Sequence, residues 1–269
     1  MAPLLLTLGR GALAGLGKKP SAAARLPQVR LSAAEVRIDP GRAARYAQVC
    51  GFTAPGPQLP LTYPHILGFP LAARIMARRD FPLPMAGLVH TCLDITAHGP
   101  LTVHDRPELV VYAVGLRPHR RGTEVVMATE ARLDGETVWE ERSTYLARHR
   151  ADADASAHTG ERAREVPLPP HEEWRLAADL GRRHARVSGD YNPIHLHPLT
   201  ARPFGYRRAI AHGMWTVARC VAALPPARRV RARFRTPVLL PATVRFAVDG
   251  ERFQVRSPAG LHLTGTASP

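Results

Sequence analysis

Lysine is nearly missing from this chain of 269 residues: Lys18 and Lys19 stand alone, so almost all of the 37 basic residues are arginine. No acidic residue precedes Glu35, aromatics make up 6% of the chain, and cysteine occurs only as Cys50, Cys92 and Cys220. Each scarcity excludes something. Three cysteines without paired spacing give no basis for a disulfide framework or a structural zinc site, and they point to a reducing compartment. No apolar run reaches the ~20 residues that a bilayer requires, so a soluble, cytoplasmic chain without a membrane span is expected. The net charge of +15 raises polyanion binding as a function class. Against it, arginine is scattered through strand-like and loop-like segments, and the few aromatics are not interleaved with basic residues. With 26 prolines as well, the arginine reads as compositional bias and no specific nucleic-acid partner is expected.

Segment 1–28 permits three readings: an organellar transit peptide, a short signal-like stretch, or an amphipathic N-terminal helix with a linker. Leu4-Leu5-Leu6 is too short for an export core, which favours the last while leaving organellar targeting open.

What is present is concentrated between Val187 and Met214. Ser188-Gly189-Asp190 enters a turn, Asn192-Pro193 bends the chain again, and His195 follows Asp190 by five positions. Pro193 fixes its own φ and pushes Asn192 toward extended backbone, so the turn is stiff and both side chains can reach one small volume. Farther on, Ile210-Ala211-His212-Gly213-Met214 runs into an apolar helix that ends before Pro225-Pro226. Gly213 at its start would let a ligand approach the helix N-H groups, which can hold developing negative charge. Singly, each part has a plainer reading: Asp190 as an Asx-turn residue, His195 as a surface imidazole, Gly213 as a helix-start glycine. Together they fit a site that adds water to, or removes it from, a thioester-conjugated double bond. His195-Leu196-His197 beside Asp190 also raises a metal, but alternate residues of an extended segment face opposite sides, and none is expected.

The stretch S-G-D-x-N-P-x-H from Ser188 to His195, followed by I-A-H-G-M at 210 to 214, resembles the signature of MaoC-like dehydratases and R-specific enoyl-CoA hydratases. The resemblance implies an α+β double hot-dog fold, two long central helices wrapped by a curved antiparallel sheet. It further implies Asp190 and His195 as the catalytic pair, Asn192 and Ser188 as their support, and Gly213 as the oxyanion N-H. The reaction implied is reversible dehydration of an R-3-hydroxyacyl thioester, with acyl-CoA or acyl carrier protein thioester as substrate and no cofactor. Leu61-Thr62-Tyr63-Pro64-His65 is similar to a stretch in the 3-hydroxyacyl-thioester dehydratases of actinobacterial fatty-acid metabolism.

An internal repeat fits two units. Tyr46–Pro55 aligns without gaps on His184–Pro193, pairing Gly51 with Gly189, but Phe52 stands for Asp190, Ala54 for Asn192 and Pro57 for His195. The expected organisation is an N-terminal segment to 28, a degenerate unit over 29–150 on the acyl-chain side, a linker over 151–170, and a catalytic unit over 171–269. In the first unit, Pro64 is tolerable in a first helical turn, whereas Pro70 should kink or shorten the helix and so make room for a long acyl tail. Glu124, Glu130 and Glu140-Glu141 read as solvent-face residues of strands, and His90, His98 and His104 as structural or exposed. In the second unit, a short helix is expected over Leu176–Val187. Arg202, Arg207 and Arg208 lie between the turn and the helix, where they could meet a phosphate. Two rivals remain, a hot-dog thioesterase and a non-catalytic acyl-thioester or nucleic-acid binder. A tandem chain could still form a homodimer through its outer sheet edges.

Overall fold

β-branched segments with alternating burial form strands, and two apolar segments between them form the buried helices. The computed structural model describes residues 17–53, 56–85, 87–150 and 165–269. The first half runs β1 (Arg30–Ala33), α1 (Pro40–Cys50), α2 (Tyr63–Met76), β2 (Val89–Ala97), β3 (Glu108–His119), β4 (Gly122–Leu133) and β5 (Glu136–Arg148). The second runs β6 (Pro170–Leu176), α3 (Leu180–Ser188), a 3-10 turn at Pro193–His195, α4 (Pro198–Ala201), α5 (Gly213–Ala222), β7 (Arg229–Phe234), β8 (Ala242–Asp249), β9 (Arg252–Ser257) and β10 (Gly260–Ser268). Most of the N-terminal segment, most of the expected linker, and the repeat positions Ala54 and Pro55 lie outside the described residues. From residue 17 to β1 the chain is turns and irregular backbone, with Lys18 donating to the Arg78 carbonyl at 3.0 Å.

All ten strands form one antiparallel sheet in the order β1-β3-β4-β5-β2-β7-β10-β9-β8-β6. Each half uses the same plan, with its first strand at the outer edge and its second at the seam. The halves join through β2 and β7, where Leu93 lies opposite Ala232. Leu93, Ile95, Val230 and Ala232 are buried at this seam, while Asp94 on the other face accepts from Arg231 Nε at 2.7 Å. That alternation is the period-two pattern of a sheet with one covered face. The arrangement is the double hot-dog that the repeat and the motif imply.

Three expectations need correction. Helix α2 passes through Pro70 and continues to Met76, so the proline does not shorten it. A proline costs a helix interior roughly 3 kcal/mol, and burial of Ile66, Leu71, Ile75 and Met76 in the core offsets it. Second, Leu176 ends a strand and α3 starts only at Leu180: Trp174 and Leu176 are buried while Glu173 and Arg175 are exposed, a strand alternation that the helix reading overlooks. Third, Glu141 is buried, only 3% exposed. Neighbouring residues of a strand point to opposite faces, so Glu140 and Glu141 could not both face solvent.

Candidate active site

The turn after α3 is set by its glycine. Gly189 adopts the left-handed conformation at φ 84°, and its N-H caps the helix on the Ala185 carbonyl at 2.8 Å. The chain then reverses so that Asp190 N-H donates to Ser188 Oγ at 3.1 Å, and Asp190 Oδ1 accepts from the Asn192 N-H at 3.1 Å. Asn192 Oδ1 in turn accepts from Ile194 N-H at 3.4 Å, at the start of the 3-10 turn that carries His195. Asp190 is thus an Asx-turn residue through one oxygen while the other, Oδ2, is directed to His212 Nε2 at 3.7 Å. A cation from the other half braces this segment: Arg42 of α1 donates through Nε to the Val187 carbonyl at 2.7 Å and through Nη2 to that of Ser188 at 2.9 Å. Those are the last carbonyls of α3, where a positive charge is favourable.

His195 is buried, and its Nδ1 lies 2.8 Å from the Ile210 carbonyl. A carbonyl only accepts, so Nδ1 carries the hydrogen and Nε2 keeps a bare lone pair. Burial, and after it the neighbouring His212, push the imidazole pKa down to about 3, against the raising effect of Asp190. The ring is therefore neutral at pH 7. Its backbone is seated on α3, where a Cβ on Gly181 would lie 1.9 Å from the His195 carbonyl oxygen.

His212 has no assigned role in the motif reading, yet its ring stacks on His195 with centroids 3.7 Å apart. Its Nε2 lies 3.0 Å from the Asp190 backbone carbonyl, to which it donates. Burial lowers its pKa as well. Behind it sits His184, with ring centroids 4.5 Å apart, fully buried and held well below the ordinary imidazole range by burial first and His212 second. The place of His212 in the sequence, immediately before the helix-start glycine, is the one local signal for it. Nothing local marks Arg42 or Gly181, because their partners are distant in the chain.

Gly213 begins α5, and no side chain caps that end. A Cβ on Gly213 would lie 2.8 Å from the Phe234 ring, so this position has room only for glycine. Donor atoms of Asp190, His195 and His212 lie within 4.8 Å of one another, a spacing a divalent ion could bridge. The His212 nitrogen on this side is protonated toward the Asp190 carbonyl, which removes it as a metal ligand while that bond stands. His197 is engaged elsewhere, accepting from Leu199 N-H at 3.2 Å.

These groups open on a cavity of about 920 Å³ lined from both halves. The second half contributes Asp190, Asn192, His195, His212, Gly213 and Phe234; the first contributes His65, Phe69, Met76, Leu88, His90 and Tyr145. Arg120, Arg121, Arg148 and Arg233 line its exposed rim. Arg202, Arg207 and Arg208 do not line it, and Arg208 instead donates to the Pro241 carbonyl at 3.2 Å. His90 lines the cavity and stacks on Tyr145, whereas His98 pairs with Glu140 and His104 is exposed.

One antiparallel sheet around two helices matches the fold of known proteins. The family model of the MaoC like domain matches residues 169–259. The chain is 37% identical over 223 residues to 3-hydroxyacyl-thioester dehydratase X of Mycobacterium tuberculosis, covering 81% of this chain and 79% of that protein. It belongs to the MaoC-like dehydratase family. Among solved structures it is similar to HtdX of Mycobacterium tuberculosis, at 36% identity with a TM-score of 0.77, over 89% of this chain and 99% of that one. A second Mycobacterium tuberculosis protein, described as having a double hot-dog fold, superposes with a TM-score of 0.55 at 14% identity, over 89% of this chain and 94% of that one, a likeness of fold alone.

Proposed function

We propose that the protein catalyses the reversible dehydration of R-3-hydroxyacyl thioesters to trans-2-enoyl thioesters, as a hydro-lyase of fatty-acid metabolism. The observation that carries the reading is that His195, with a bare Nε2, and the carboxylate of Asp190 have polar atoms within 4.8 Å of each other and line one cavity of about 920 Å³. A neutral imidazole accepts a proton, an ionised carboxylate does the same, and either can return it, so the pair can serve both addition and loss of water. Asp190 and His195 are the residues assigned to those proton transfers, with Ser188 and Asn192 holding the turn. The N-H groups that open α5 at Gly213 are assigned to the thioester oxygen, whose negative charge grows as carbon 2 loses its proton in dehydration or as the water oxygen adds to carbon 3 in hydration.

The thioester carrier is assigned to the rim. Coenzyme A carries phosphates and acyl carrier proteins are acidic, and the exposed Arg120, Arg148 and Arg233 offer charge-assisted donors to either. Arg202, Arg207 and Arg208, outside the lining, are left to a carrier's outer surface. Residues 29–150 then act as the acyl-chain side and 171–269 as the catalytic unit, in the cytoplasm. Among the described residues no helix is long and apolar enough to cross a membrane.

The test is hydration of crotonyl-CoA and of a longer trans-2-enoyl-CoA, followed by loss of conjugated-thioester absorbance while free thiol is monitored. Absorbance loss without thiol, abolished in His195→Ala, is the expected result. Thiol release would make the protein a thioesterase, and no turnover of CoA or carrier-protein substrates would make it a binder.

A further inference from the structure

The first unit contributes a second carboxylate-imidazole pair to the same cavity. His65, in the first turn of α2, places Nδ1 2.9 Å and 2.8 Å from the two carboxylate oxygens of Glu141 on β5, and Ser143 Oγ donates to the same carboxylate at 2.5 Å. His65 is 8% exposed and Glu141 3%. With Nδ1 given to Glu141, the other ring nitrogen of His65 has no protein partner among the described residues, and the ring lines the cavity. His65, Phe69 and Met76 recur on one face of α2, and all three line the cavity, so the polar pair sits in a wall that is otherwise apolar. From the oxyanion end the sequence of rings is Phe234 against Gly213, His90 at 4.7 Å from Phe234, and His65 at 6.3 Å from His90. His65 thus lies along the wall from the oxyanion end, with the rings of Phe234 and His90 between it and Gly213, and it is buried.

We propose that His65, held by Glu141 and Ser143, is a specificity residue that donates a hydrogen bond to a neutral oxygen, a ketone or hydroxyl, on the acyl chain beyond the reacting carbons. The inference rests on the thioester-dehydratase reading above. A saturated alkyl tail laid along this wall would leave the second ring nitrogen of His65 facing methylene groups, an unpaired buried polar group that is costly to leave so. A chain oxygen at that point satisfies it. The oxygen is neutral because the surroundings are already anionic: Glu141 is on the ring and Asp190 and Glu124 line the same cavity. Burial opposes charge on His65, but the charge and hydrogen bond of Glu141, with the charge of Asp190, raise its pKa overall. The other titratable neighbours are His90, stacked on it and kept neutral by burial, and Tyr145, whose phenol burial pushes up.

The experiment compares kcat/KM for hydration of trans-2-enoyl-CoA thioesters of equal length that carry a plain alkyl tail, a terminal carboxylate, or a keto oxygen moved one carbon at a time along the tail. In the wild type one keto position is expected to be preferred over alkyl by about tenfold to a hundredfold, the range for a hydrogen bond to a charged group. His65→Leu should abolish that preference, and Glu141→Gln should reduce it. The preference should be full at low pH and decline as pH rises through the raised imidazolium pKa, a dependence that a packing role would not produce. Equal use of keto and alkyl chains at every position, preference for the carboxylate, or a keto preference surviving in His65→Leu each overturns the proposal. If His65→Leu does not fold, His65→Gln, which keeps a neutral donor, must show a smaller preference than wild type. Calorimetric affinities of the wild type for saturated keto-acyl and alkyl-acyl CoA separate the two readings. Absence of hydration with a keto preference in binding overturns the reaction alone, and hydration with no preference in binding or turnover overturns the role of His65 alone.

Discussion

Gly51 and Gly189 close two helices with nearly the same backbone, φ 81° and 84°, yet the residues beyond them differ completely. After Gly189 come an acid, an Asx turn and a buried imidazole; after Gly51 comes Phe52, packed on the core. The repeated strand order around the seam shows the same thing at larger scale: both halves keep the plan of the sheet. Backbone plan is set by where helices stop and which strand faces are apolar, and many side chains satisfy it. A proton-transfer site requires particular atoms a few ångströms apart, and the turn of the first unit does not supply them; its polar pair, His65 and Glu141, stands elsewhere on the cavity wall. Two of the imidazoles at the cavity are driven in opposite directions, the pKa of His195 down by burial and that of His65 up by the carboxylate of Glu141. Environments that drive two titratable groups apart in this way give each a different task.

The comparison can be broken most severely at the pair itself. Asp190→Asn or His195→Ala should lower kcat for crotonyl-CoA hydration by roughly a hundredfold to ten-thousandfold. Phe52→Leu, at the matching position of the first unit, should leave kcat within a few-fold, and a comparable loss there would end the assignment of unlike roles to the two turns.

Acid should separate the halves next. His195 has a folded pKa of about 3 against an ordinary 6.5, so between those values the unfolded chain takes up a proton that the folded chain refuses. Stability therefore falls as pH falls below 6.5, and His184 and His212, also lowered, act in the same direction. The loss at pH 4.5 is on the order of 3 kcal/mol from His195 alone. His65 works the other way: its contribution is full below the ordinary value and is lost as pH rises through its raised one. Urea midpoints at pH 7 and 4.5 measure the balance, and equal midpoints would sink the account of a neutral buried cluster.

A smaller effect is expected at Gly213. Gly213→Ala retains the backbone N-H but drives a methyl into Phe234, which should cost about 1–3 kcal/mol of stability together with activity. Adding Phe234→Leu should restore most of both, and failure to do so would show that the glycine is needed for something other than space. Smallest is Arg42→Met, which removes the brace from the other half. Stability should fall by about 1 kcal/mol, with kcat reduced more than KM is changed, because the turn and not the acyl channel is loosened.

Most of this architecture can be read from residues one to five apart. The strands from Val89 to Arg148 carry their alternation locally, Gly189 and Pro193 mark the turn, and Asp190 and His195 come together because five positions of stiff backbone separate them. Pro70 misleads because its penalty is local and the burial that outweighs it comes from the sheet. Glu141 is hidden among the acidic residues of β5, although its adjacency to Glu140 already requires one of the two to point inward. Arg42, 145 residues from the carbonyl of Val187, can be found only with the chain folded. Its partner is a backbone group, which leaves no trace in side-chain pattern.

The β2–β7 seam has a consequence for concentration. Two separate hot-dog chains joined along such a seam would come apart on dilution, and every cavity lined from both sides would come apart with them. Here the partner is tethered, its effective concentration set by the covalent connection and not by how much protein is present. A cavity built from both halves therefore persists in the most dilute solution. The tether also frees the halves from identity, so a substitution such as Phe for Asp is made once, on one wall, without being repeated on the other.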